Sequence, residues 1–171
     1  VGKDWKAKQE ALSLIDKVRK LREIGEEEVG EIALRPKIRS ALNKYEEEAS
    51  NRDIEFNVDI PQFKVKGGSF LEELFSNLVL NSIVHSGGSK IKVRAAEEEN
   101  RIMVILEDDG VGIPDENRDK VFEKGFKAED TGGSGLGLYI VKEIAESYGG
   151  QIEVEGSELG GARFNIYLKK A

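Results

Sequence analysis

Asn77, Asn81 and His85 recur at intervals of four in the segment NLVLNSIVHS, which also holds the only histidine of the chain. On a helix that spacing stacks three polar side chains along one stripe. Leu71, Leu74, Phe75, Leu78 and Ser82 take the spacing of a core face in the same stretch, so residues 70–85 are predicted to be helical. Asparagine is a poor interior helix residue, because its side chain competes for backbone hydrogen bonds. Two of them one turn apart therefore weaken the helix unless they have a task. The plain reading is an amide pair satisfied by water or backbone. The functional one is chemical: carboxamide oxygens are hard ligands suited to Mg2+, which keeps several waters and is commonly held jointly with substrate phosphates.

Two further segments have chemical content. In ILEDDGVGIP an apolar run ends at Asp108, and Gly110 and Gly112 follow at once. Asp-Gly turns are common in their own right. An ionised carboxylate, however, only accepts hydrogen bonds. Adenine offers an N6 amino donor where guanine offers the O6 acceptor, so a buried Asp108 against the base would select adenine. In TGGSGLGLYIVKEIAESYGG, Gly133, Gly135 and Gly137 alternate with Ser134 and Leu136 directly before a helical pattern. Free N–H groups at such a helix start bind phosphate oxygens; the alternative is a merely flexible loop. No Lys-Ser or Lys-Thr follows the glycines, and the run is G-x-G-x-G with no strand before it. It is therefore neither a P-loop nor a Rossmann turn.

These residues must be positioned by a small set of elements. Residues 4–24 read as a helix with Ala11, Leu14, Val18 and Leu21 at a/d heptad positions, widened by Leu12, Ile15 and Ile24. Such a stripe packs either on its own domain or in a dimeric helical bundle, and the heptad register favours the bundle. The segment GEEEVGEIALRP breaks the pattern, and a second helix is expected from about Pro36 through KIRSALNKYEEEASNRD. Alternation in IEFNVDI predicts a strand, and KVKGG a turn. Strands KIKVRAA and RIMVILE form a hairpin around EEEN, RDKVFEKGF a short helix, and QIEVEG and ARFNIYL a closing strand pair. The helix LGLYIVKEIAESY is expected to stop at Gly149 and Gly150. The pattern is α+β: a two-layer sandwich, its sheet mostly antiparallel with helices on one face, preceded by a helical segment.

Composition narrows the function classes. The 171 residues carry 26 Lys+Arg against 33 Asp+Glu, a net charge of −7 that repels nucleic acid, and no basic patch with interleaved aromatics is present. Without cysteine there are no disulfides or thiolate metal sites, which fits a cytoplasmic setting. No apolar run is long enough to span a membrane. The chain opens abruptly inside a helical pattern, as expected of part of a longer protein.

Together the segments resemble the catalytic, ATP-binding domain of sensor histidine kinases, within the wider group shared with DNA gyrase, Hsp90 and MutL. NLVLNSIVHS looks like the N box, DDGVGIP the G1 box, VFEKGF the F box and GGSGLGL the G2 box, in the family's order over roughly residues 54–170. The resemblance implies a Bergerat-type α/β sandwich binding ATP with Mg2+. By position it makes Asn77 and Asn81 Mg2+–phosphate contacts, with Asn77 the candidate catalytic residue, and packs His85 by the adenine. Asp108 takes the adenine amino group, Gly110, Gly112 and Ile113 shape that wall, and Lys127 is a candidate phosphate contact beside a short lid. Gly133, Ser134, Gly135, Leu136 and Gly137 cradle the phosphates. One departure is visible: where the family often has Lys before the residue ending the N box, this chain has Val84.

The same resemblance gives residues 1–34 as the last part of a dimerisation and phosphotransfer hairpin, and 35–171 as the catalytic domain. His85 lies within the nucleotide-binding helix and is followed by Ser-Gly-Gly, unlike an exposed phosphoacceptor followed by an acidic residue. The acceptor histidine then belongs to a dimerisation helix outside this chain. Implied partners are ATP, that helix in a homodimeric full-length protein, and a response-regulator receiver domain, with no nucleic acid and no membrane contact from this chain. Three alternatives stay open: an ATPase of the wider group, disfavoured by Asn77 where hydrolytic relatives have Glu; an anti-sigma-type serine kinase; and a non-catalytic nucleotide sensor.

Overall fold

The computed structural model describes residues 2–126 and 136–171. Helix α1 (Gly2–Glu26) leads into a short strand β1 (Gly30–Ala33), helices α2 (Leu34–Lys44) and α3 (Glu46–Asn51), and strands β2 (Glu55–Asp59) and β3 (Lys64–Gly67). Helix α4 (Leu71–His85), the hairpin of β4 (Lys90–Glu98) and β5 (Arg101–Asp108), helix α5 (Gly137–Ser147) and strands β6 (Gln151–Gly156) and β7 (Ala162–Lys169) complete the order. The main sheet runs β2-β4-β5-β7-β6, parallel only between β2 and β4. This is the expected two-layer α+β sandwich.

Alternation decides which face each strand buries. Ile91 and Val93 of β4, Ile102, Val104 and Leu106 of β5, and Phe164, Ile166 and Leu168 of β7 are buried in the core. The same core holds Leu71, Leu74, Phe75 and Leu78 of α4 and Ile140, Val141 and Ile144 of α5. Phe122 meets Phe164 edge-on, with centroids 6.3 Å apart. On the other face long side chains pair in register: Glu107 opposes Arg163, and Arg163 lies 3.4 Å from Glu155. Helix α5 ends as expected, with Gly149 at φ 76° and its N–H bonded to Glu146, while Gly150 N–H reaches Ala145.

Four sequence expectations change. KVKGG is no turn: Lys64–Gly67 pairs antiparallel with Gly30–Ala33, so the segment read as a break also contains a strand. The second helix starts at Leu34, and Pro36 sits at its third residue, where no intrahelical N–H bond is lost. It is interrupted at Tyr45, which separates α2 from α3. The stretch RDKVFEKGF is a series of turns after a 3-10 segment, Asp115–Asn117, with Phe122 buried as its anchor.

Helix α1 divides along its length. Ile24 is buried and Leu21 packs on the core, whereas Leu12, Leu14, Ile15 and Val18 are exposed.

Candidate functional site

Helix α4 carries the amide stripe away from its core face. Asn77 and Asn81 are half-buried and His85, the last residue of the helix, is exposed. The C-terminal end of α4 is joined to the end of β5 by backbone contacts. Val111 N–H donates to the carbonyl oxygen of Ser86 at 2.8 Å. A side-chain carbon on Gly110 would overlap that same carbonyl, so only glycine permits the approach. This contact joins the C-terminal end of α4, where His85 stands, to the end of β5, where Asp108 stands.

Asp108 is 2% exposed. Its Oδ1 accepts N–H bonds from Gly110 at 3.0 Å and Ala162 at 3.2 Å, and its own carbonyl accepts from Gly161 at 3.1 Å. Burial pushes its pKa above 3.8 although those two N–H groups and the nearby Ser82 hydroxyl favour the ionised form. Ser82 Oγ is itself buried beside that carboxylate, close enough to favour its charge but without a hydrogen bond of standard geometry. A buried hydroxyl left in this way beside a carboxylate matches a place where a ligand or bridging water completes the network. The residues present therefore fit a ligand that donates a hydrogen bond, as an amino group does.

The neighbouring carboxylate has a different task. Asp109 accepts Ser89 N–H at 2.8 Å, Ser89 hydroxyl at 2.8 Å and Lys90 N–H at 2.9 Å. Burial pushes its pKa up, but these bonds outweigh it and hold the group below 3.8. Asp109 thus fastens the turn between α4 and β4, while Asp108 is buried at the end of β5. The repeated Asp in EDDG contains one structural and one candidate binding carboxylate.

Gly112 turns the chain at φ 72°, and Ile113 packs partly against the core. Leu136 is buried at the start of α5 and Gly137 is its first residue. Lys127, Gly133, Ser134 and Gly135 lie outside the described residues. Among the described residues no group of three or more His, Asp or Glu is placed to hold a metal. The two half-buried carboxamides fit an ion shared with a ligand's phosphates rather than one caged by protein. Sequence reasoning assigned Ser82 to the core and passed over Ala162; the Gly-Gly before the last strand was the available signal.

The sequence profile described as histidine kinase-, DNA gyrase B-, and HSP90-like ATPase matches residues 67–171. The chain belongs to this ATPase family. Sensor-like histidine kinase SenX3 of Mycobacterium tuberculosis is 34% identical over 139 residues, 77% of this chain and 34% of that protein. The chain thus spans about a third of the length of that relative. The solved mycobacterial sensor histidine kinase MprB superposes with a TM-score of 0.74 at 30% identity, covering 82% of this chain and 97% of that one. Histidine kinase ThkA, solved with the response regulator protein TrrA, gives 0.76 at 26% identity over 96% of this chain and 49% of that one. As a member of this ATPase family the chain is an ATP-binding domain of the histidine kinase type. Among the described residues no helix is long and apolar enough to cross a membrane.

Proposed function

We propose that this chain binds Mg·ATP and transfers the γ-phosphoryl group to a histidine on a dimerisation helix of its own full-length protein, a sensor histidine kinase. The observation that carries the reading is the buried Asp108, held by Gly110 and Ala162 and fastened to the end of the asparagine helix through Ser86. In it, Asp108 accepts the adenine amino group, His85 packs beside the base, and Gly110, Gly112 and Ile113 form the wall. Asn77 and Asn81 direct their carboxamides to the Mg2+–phosphate group. Lys127, Gly133, Ser134, Gly135, Leu136 and Gly137 enclose the phosphates.

Phosphoryl transfer needs alignment and charge neutralisation more than covalent chemistry from the protein. Mg2+, when bound, supplies part of that neutralisation. Asn77 is an amide without basic character, so the site orients ATP and does not activate water at that position. Residues 1–34 belong in this reading to the dimerisation hairpin and 35–171 to the catalytic domain, with β1 pairing to β3 as the joint. The exposed Leu14, Ile15 and Val18 face the rest of a homodimeric bundle. A response-regulator receiver domain takes the phosphoryl group next, in the cytoplasm.

The test is radiolabelled Mg·ATP offered to the chain alone and together with the hairpin of its full-length protein. Acid-labile label on the hairpin histidine, and none on the chain alone, is expected. Acid-stable label on serine, or rapid hydrolysis by the chain alone, would replace the reading with a serine kinase or an ATPase.

A further inference from the structure

We propose that Glu27 is a positioning residue for nucleotide binding, a carboxylate latch by which the segment after α1 holds α4 and α5 together. The inference rests on the reading of α4 and the start of α5 as nucleotide contacts. Helix α4 begins at Leu71 with no side-chain cap from its own Phe70. The cap comes from far along the chain. Glu27 Oε1 accepts the N–H of Ser69, and Glu27 Oε2 accepts the hydroxyl of Tyr148 at 3.1 Å. The same Tyr148 oxygen accepts Phe70 N–H at 3.1 Å.

One carboxylate therefore binds the start of α4 and, through Tyr148, the end of α5. Negative charge at a helix N-terminus is favourable, and charge-assisted bonds are the stronger ones. Tyr148 is buried, and burial together with the Glu27 carboxylate raises its pKa, so the phenol stays a donor. The sequence leaves room for both partners. A carbon on Gly67 would touch the Tyr148 ring at 3.4 Å, and one on Gly68 would overlap the Glu27 carboxylate.

A second fastening lies on the same side. Lys20 of α1 pairs with Glu73 in the first turn of α4 at 2.8 Å, with buried Ile24 between Lys20 and Glu27 along the chain. The lysine and glutamate side chains are 34% and 23% exposed, so that pair alone is weak. A groove of about 610 Å³ is lined by Lys20, Ser69 and Glu73 at this clasp and by Asn77 of the amide stripe. Displacing the segment after α1 from the domain would break its contacts at the start of α4 and the end of α5 together. By linkage, whatever the latch contributes to nucleotide affinity, nucleotide must return to the latch.

The test uses Glu27→Ala and Gly68→Ala, the second displacing the carboxylate while leaving it in the sequence. Calorimetry with a non-hydrolysable Mg·ATP analogue is paired with amide exchange at Ser69 and Phe70. Both variants are expected to weaken binding by about fivefold or more, and nucleotide should slow exchange at these two amides in the wild type only. Variants that melt earlier yet bind within about twofold of wild type would reduce Glu27 to a stabilising contact and overturn the proposal. A wild-type chain that binds no analogue would overturn it together with the reading of the site; normal wild-type binding with unchanged variants would overturn the latch alone.

Discussion

Gly110 and Ser86 approach so closely that no side chain fits between them, and Val111 N–H closes the contact on the Ser86 carbonyl at 2.8 Å. The two residues come from different boxes, one from the end of α4 and one from the turn after β5. Their contact ties the end of the helix that carries the amide stripe to the end of the strand that carries Asp108.

Gly110→Ala forces a backbone carbonyl to move, so it should destabilise the domain by about 1–3 kcal/mol, as overpacking does. Urea unfolding measures this, and nucleotide affinity should fall in the same variant. An unchanged midpoint with unchanged affinity would mean the two segments are not set by this contact.

Asp108 gives a pH dependence with a definite sign. Its pKa is raised in the fold, so the protonated carboxyl is the form folding favours. Its contribution to stability is present below the ordinary carboxylate value of 3.8 and is withdrawn as pH rises through the raised one. In the proposed site base recognition runs the opposite way, because only the ionised form accepts without donating. Affinity for ADP should be full at neutral pH and decline as pH falls through a value above 3.8. Asp108→Asn should bind ADP weakly at every pH while its ligand-free melting temperature at neutral pH stays level or rises. A variant that melts well below wild type and still binds ADP would contradict both halves.

Asn81→Ala addresses the amide stripe. With Mg2+ in excess it should weaken ATP binding at least about tenfold, a difference of about 1.4 kcal/mol. In chelator the variant and wild type should converge, since the metal link is gone from both. Equal losses in the two conditions would show that Asn81 acts on the fold rather than on a metal–phosphate group.

The site was legible where polarity contradicted its surroundings. Asn77 and Asn81 stand out because amides interrupt a Leu and Val helix, and Asp108 because a carboxylate ends an apolar strand. Strands β1 and β3 were hidden: each has four residues, KVKG is Lys- and Gly-rich, and only its pairing with Gly30–Ala33 makes it a strand. Phe122 looked like part of a helix because VFEKGF has helical spacing, yet the buried ring anchors turns instead. Ser82 shares its spacing with the core leucines, so one-dimensional periodicity could not reveal its place beside Asp108. Glu27 carries no local signal whatever, since its partners Ser69 and Tyr148 lie 42 and 121 positions away.

The proposed kinase site depends on Asp108 reading an adenine ring. Calorimetric titration of the wild-type chain with ATP and with GTP, in excess Mg2+ at neutral pH, tests it most directly. ATP should bind and GTP should bind at least about a hundredfold more weakly, because its O6 would face an acceptor. Equal affinities for the two nucleotides would contradict the assignment of Asp108 and the site built around it.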